Sequence, residues 1–201
     1  KIIVAHGGMV DKVVGDAVHA IFNAPLDQRD HPRHALESAV AIRDWAEAWR
    51  RSPLPAGIGF GRTRIGIETG DAIVGDIGIS SKLDYTAHGN AVNTAARLQS
   101  INKELGSTIC VGQTTAHRCN IGLLRPLGEI ELRGLSRSMR VYEPWPSEID
   151  PAWRERYLAA DLIASDNKAA AAAMFEVLAG ERPDDAVPRL RAERLRTHRP
   201  E

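Results

Sequence analysis

Two short runs of β-type residues, 10–14 and 17–22, flank Gly15-Asp16, and a two-residue G-D connection between such runs predicts a hairpin. Next, Asp30 stands at a cap position and Pro32 in the first turn of a helix whose apolar positions Leu36, Ala39, Val40, Ile42, Ala46 and Trp49 keep helical spacing. The stretch SPLPAGIGFG ends it. Residues 63–67 and 72–74 form a second expected strand pair, folded around Gly70-Asp71. Gly89 lets the chain turn and Asn90 is the expected cap of a helix running to about Leu105. Its core stripe is Ala91, Ala95, Leu98, Asn102 and Leu105. A strand at 108–111, a short helix at 114–118 and strands at 124–132 and 140–143 follow. Hairpins, strands and helices mixed in this way predict an α+β fold, with helices on one face of a mainly antiparallel sheet.

PWPSEIDP, residues 144–151, is a proline-rich boundary, after which the pattern becomes purely helical over 152–164, 168–180 and 186–196. The chain therefore divides into residues 1–145 and a helical tail, 146–201. Within the tail Ala159, Leu162, Ala171, Phe175, Leu178 and Pro183 resemble the small and large positions of one tetratricopeptide repeat. A single repeat cannot bury its own face, so it packs on the main domain, on another chain, or on nothing.

Composition narrows the chemistry. Lysine plus arginine and aspartate plus glutamate number 26 each in 201 residues, and aromatic residues make up 5%, which disfavours a nucleic-acid or anionic-membrane surface. No apolar run approaches a membrane span, and KIIVAHGG is too short for a signal peptide. Cys110 and Cys119 form no CxxC or disulfide framework, so a reducing, cytoplasmic setting is expected, with both thiols buried. The chain starts on Lys1, as if its first element were entered in the middle. That predicts a fragment of a longer polypeptide, and an upstream sensor region is compatible with it.

On the expected helix after Gly89, Asn93 and Arg97 lie one turn apart, away from the core stripe. Three segments share the chain with them: GGMVDKVVGD, RIGIETGDAIVGDIG and LDYTAHGNAVNTAARL. In this order and spacing they resemble the catalytic domain of class III nucleotidyl cyclases, the adenylyl and guanylyl cyclases, over residues 1 to about 145. The resemblance implies a ferredoxin-like cyclase fold and closure of a nucleoside triphosphate to a 3′,5′-cyclic monophosphate, with two Mg²⁺ or Mn²⁺ ions per site. Asp16 matches a metal-binding aspartate, Arg97 the arginine that stabilises the transition state, and Asn93 the asparagine that orients the ribose. Lys12 and Thr86 match the residues that read adenine, which implies ATP as substrate. Arg133 falls where the family often has a cation near the triphosphate. Asp11, Asp71 and Asp76 read as turn and surface residues.

The companion metal-binding aspartate is expected on a strand before Lys1, so the chain by itself is expected to be inactive. The resemblance further implies a homodimer in which one protomer lends metal ligands and the other Lys12, Thr86, Asn93 and Arg97, giving two equivalent sites. Guanylate cyclase activity, a non-catalytic dimerisation module of the same fold, and a scaffold working through its helical tail are the alternatives. A diguanylate cyclase is disfavoured, because the GG(D/E)EF sequence is missing.

Overall fold

The computed structural model describes residues 1–79, 82–132 and 138–197. After the short helix α1 (Ile2–Ala5), strands β1 (Met9–Val14) and β2 (Ala17–Ile21) form the expected antiparallel hairpin. Its turn has Gly15 at φ 62°, the left-handed conformation that the first central position of a two-residue hairpin loop requires and that glycine adopts without strain.

Helix α2 (His31–Arg50) carries Pro32 in its first turn, while Asp30 occupies the cap position without a side-chain hydrogen bond. It buries Leu36, Ala39 and Ala46, and a five-residue helix, α3 (Pro53–Gly57), follows it. Strand β3 (Ile65–Ile67) then enters the main sheet. Its pairing corrects the expected second hairpin. β3 does not fold back around Gly70-Asp71 but runs parallel to β6 (Ile109–Gly112), while β4 (Ile73–Ile79) pairs antiparallel with β5 (Lys82–His88). The connection from Ile67 to Ile73 is too long for a tight turn, and β5 supplies β4 with a full set of partners in register.

Helix α4 (Asn90–Leu105) begins at Gly89 with no side-chain cap, so Asn90 is its first helical residue and not the expected cap. Its stripe meets the sheet through Leu98, Asn102 and Leu105. The approach is closest at Gly66, where a Cβ would stand 2.1 Å from the Ala95 carbonyl oxygen, so only glycine fits between strand and helix. Asn102 is buried but fully engaged. Its amide donates to the Ile65 and Leu98 carbonyls at 2.9 and 3.1 Å, and its oxygen accepts from Ser107 at 2.6 Å, which ties helix, strand and following turn together.

The sheet is completed after α5 (Gln113–Arg118) by β7 (Leu124–Ile130) and β8 (Met139–Pro144), in the order β3-β6-β8-β7. The α+β class holds, but the sheet is mixed and helices cover both of its faces. Alternation along β6 shows why: Ile109 and Val111 join Leu36, Ala39 and Tyr142 on one side, and Cys110 joins Leu98, Leu105 and Val141 on the other. Both cysteines are free and buried, as expected, and burial pushes each thiol upward in pKa.

Three helices follow, α6 (Pro151–Ile163), α7 (Lys168–Glu181) and α8 (Ala186–Thr197), and they pack on the α4 face of the sheet. Tyr157, fully buried, donates its hydroxyl to the Pro126 carbonyl at 2.8 Å, and Arg191 donates to the same oxygen at 3.0 Å. Arg125 of β7, with 3% of its side chain exposed, is held between Glu143 of β8 and Asp185 at the entry to α8. Burial works against its charge, but Glu143, Tyr157 and Asp185 outweigh that and raise its pKa above the ordinary arginine range.

Removing one member of such a buried set strands the others without a counter-charge. Arg125→Ala is therefore expected to lower unfolding free energy by about 3–5 kcal/mol in a denaturant titration, whereas Arg33→Ala, which breaks an exposed helix pair with Glu37, leaves the midpoint unchanged.

Candidate active site

The β1–β2 hairpin is not a regular ladder. Val10 pairs with Ala20 and Lys12 with His19, so Asp11 is the extra residue of a β-bulge. In a regular strand Asp11 and Lys12 would point to opposite faces. The bulge instead turns Asp11 so that its Oδ2 lies 3.5 Å from Lys12 Nζ and also meets His19 Nδ1 across the hairpin. The same oxygen accepts a hydrogen bond from Thr86 Oγ1 of β5 at 2.9 Å. One carboxylate oxygen thus joins two separate two-stranded ribbons.

The protonation states follow from this geometry. The Asp11 side chain is 2% exposed, and burial pushes its carboxyl upward in pKa. Hydrogen bonds from His19 and Thr86 and the charges of Lys12 and His19 outweigh that and hold it below the ordinary aspartate range. An ionised carboxylate only accepts, so His19 Nδ1 is a donor to it and Thr86 directs its single hydroxyl proton at Asp11. Asp11 is thus no turn or surface residue, in contrast to the sequence expectation. Asp71 and Asp76 are exposed as expected.

Of the residues picked out by sequence, the structure brings Lys12 and Thr86 together, with Asp11 between them. Lys12 keeps 45% of its side chain exposed, so its ammonium remains available to a ligand. Asp16 is exposed at the tip of the hairpin, beyond the cluster. Asn93 is exposed and Arg97 half-buried on the outward side of α4, and among the described residues neither side chain has a hydrogen-bond or ion-pair partner. Arg133 lies outside the described residues. For a metal, Asp16 offers one projecting carboxylate, and no group of three or more His, Cys, Asp or Glu gathers among the described residues. One such oxygen suits Mg²⁺, which takes one or two carboxylates and completes its shell with water and substrate phosphates.

Comparison with known proteins decides the family. Residues 3–143 match the family described as the adenylate and guanylate cyclase catalytic domain. The chain belongs to that family. It is 35% identical over 144 residues to adenylate cyclase 1 of Rhizobium meliloti, covering 71% of this chain and 22% of that protein. It is 30% identical over 143 residues to the terminal-differentiation-specific adenylate cyclase of Dictyostelium discoideum, covering 68% of this chain and 6% of that one. The chain thus spans less than a quarter of either relative's length. Among solved structures, the adenylyl cyclase CyaB from P. aeruginosa superposes with a TM-score of 0.63 at 30% identity, covering 74% of this chain and 77% of that one. A guanylyl cyclase superposes with a TM-score of 0.54 at 25% identity, covering 71% and 72%, so the cyclase fold as such does not choose between bases.

Another titratable group lies in the RIGIETGD segment of this cyclase domain. Burial pushes the Glu68 carboxyl up to about 7, against hydrogen bonds from Thr114 and the Thr69 backbone, and its Oε2 has no partner. With the folded value above the unfolded one, the folded state binds the extra proton between about pH 4.5 and 7, so stability is lost as pH rises through that window. Glu68→Gln, which keeps the shape and removes the charge, is expected to stabilise the protein by about 1–3 kcal/mol at pH 8 and to make little difference at pH 4.5, as read by thermal unfolding at both values.

Proposed function

We propose that this cyclase domain converts ATP to 3′,5′-cyclic AMP and pyrophosphate at sites shared across a homodimer, for signal transduction. The observation that carries the choice of ATP is the meeting of Lys12 and Thr86 at Asp11. An ammonium donor and a hydroxyl acceptor, held side by side, complement a ring nitrogen and the exocyclic amine of adenine. The adenylate cyclase relatives support the same base.

The ribose 3′-hydroxyl gives up its proton to solvent as its oxygen attacks the α-phosphorus, the bond from that phosphorus to the α,β-bridging oxygen breaks, and pyrophosphate leaves. Asn93 orients the ribose, and Arg97, one turn along α4, meets negative charge as it builds on the phosphoryl oxygens. Asp16 would be one ligand of the divalent metals, Mg²⁺ or Mn²⁺, which would supply Lewis-acid charge to the reacting phosphate. Arg133 is assigned to the triphosphate.

Exposed apolar side chains on the two ribbons support the dimer. Val13, Val14 and Val18 on the hairpin, and Ile73 and Leu83 on β4 and β5, are each more than half exposed in a single protomer. No helix among the described residues is long and apolar enough to cross a membrane.

The test uses a form extended at its N-terminus by an aspartate-bearing strand, assayed for cyclic AMP from ATP with Mg²⁺ or Mn²⁺. Arg97→Ala is expected to lower kcat by about 10²–10³-fold, and Asp16→Ala to be nearly inactive. Co-expressed with separate tags, the two mutant chains form a heterodimer in which one site carries both lesions and the other none, so activity returns. A heterodimer as inactive as its parents would place Asp16 and Arg97 of one chain in the same site. An unmutated dimer that forms no cyclic nucleotide would favour a non-catalytic module, and one that prefers GTP a guanylate cyclase.

A further inference from the structure

Thr86 has one hydroxyl proton, and the structure shows where it goes. The hydroxyl donates to Asp11 Oδ2 at 2.9 Å, and with Thr86 only 3% exposed there is little water to compete for that proton. What Oγ1 has left for a ligand is lone pairs. An amino group arriving there finds an acceptor. A carbonyl oxygen arriving there faces lone pairs, unless Thr86 turns its proton away and leaves a buried carboxylate short of a donor.

Resting on the adenine reading above, we propose that Asp11 is a specificity-determining positioning residue: by taking the Thr86 proton and drawing the Lys12 ammonium to the same side, it makes the site accept an amino-bearing base and reject an oxo-bearing one.

Three features fit this role. The β-bulge at Asp11 puts an acidic side chain on the same side as Lys12, which an unbroken ladder does not allow. His19, opposite Lys12 in the register, donates to the same oxygen and fixes the carboxylate from the second strand. All of these contacts converge on Oδ2, so a single atom sets both the Thr86 proton and the Lys12 position. Asp11 itself need not touch the base. It acts through Thr86 and Lys12.

The experiment compares ATP with GTP in the N-terminally extended form, by kcat/KM and by equilibrium binding of 3′-deoxy-ATP and 3′-deoxy-GTP, which cannot cyclise. Asp11→Leu keeps much of the aspartate shape and removes the acceptor, and Asp11→Ala serves as a second variant if leucine disturbs folding. In either variant the Thr86 hydroxyl is released to donate, and the ATP-to-GTP preference is expected to fall by about tenfold or more. In a Thr86→Val background, which has no hydroxyl to orient, the same Asp11 substitution is expected to change the ratio several-fold less than it does with Thr86 present, leaving only the part that acts through Lys12. A merely structural Asp11 would lower turnover or stability with both nucleotides alike and leave the ratio unmoved. Folded Asp11 variants that keep the full ATP preference overturn the inference while the reading of Thr86 stands. If instead the unmutated protein does not distinguish the two nucleotides, or Thr86→Val does not change the ratio, the base is not read at Thr86. That result removes the adenine assignment and this inference together.

Discussion

A single buried carboxylate oxygen, Oδ2 of Asp11, ties together the elements of the candidate site. Donors reach it from both strands of the first hairpin and from β5, which belongs to a separate ribbon. A buried anion is tolerated only when its acceptor capacity is met, so the two ribbons are held in one relative register. Strand β5 ends at His88, and Gly89 then starts α4, the helix that carries Asn93 and Arg97. Fixing Thr86 therefore fixes the origin of that helix relative to Lys12. In the proposed reaction this geometric relation lets one nucleotide meet base-reading and phosphate-facing groups together.

A second buried charge system does comparable work where the tail meets the sheet. Arg125 lies between Glu143 and Asp185, and Asp161 pairs with both Arg140 and Arg191. These contacts, with the Tyr157 hydroxyl on the Pro126 carbonyl, fasten α6 and α8 to β7 and β8. The helical tail is thus part of the same core as Leu98, Leu127 and Val141. The valines, isoleucine and leucine of the two ribbons stay among the exposed apolar side chains, where the proposed dimer would bury them.

The candidate site residues were legible to different degrees for physical reasons. The outward, one-turn spacing of Asn93 and Arg97 can be counted on an amphipathic helix, but their expected roles came from the motif resemblance. Lys12, Asp16 and Thr86 were reached through resemblance of short motifs. Asp11 was missed, because an aspartate in a hairpin is ordinarily solvated and a β-bulge leaves no mark in hydrophobic alternation. The signal available was the adjacent Asp11-Lys12 pair, opposite charges on a strand where neighbours should diverge. Strand β5 was overlooked for a related reason. Leu83, Tyr85 and Ala87 do alternate with polar residues, but two of the three apolar side chains are exposed, so the pattern is not that of a strand burying one face on its own core.

Local rules determined the elements that depend on local rules. Gly15-Asp16 makes a hairpin because the first central position of such a loop takes a positive φ, which glycine adopts without strain, and α2, α4 and the tail helices follow from 3.6-residue periodicity and proline placement. The three cyclase motifs, by their order, identified the family. Tertiary structure decided what periodicity cannot encode. The core brought β3 beside the distant β6 as a parallel neighbour, which adjacency in sequence does not indicate, and left β4 to pair with β5, the strand that follows it. It placed helices on both faces of the sheet, since Ile109, Cys110 and Val111 are apolar whichever way they point. And it turned Asp11 inward, because only in the folded chain do Lys12, His19 and Thr86 arrive at the same oxygen and offset the cost of burying its charge.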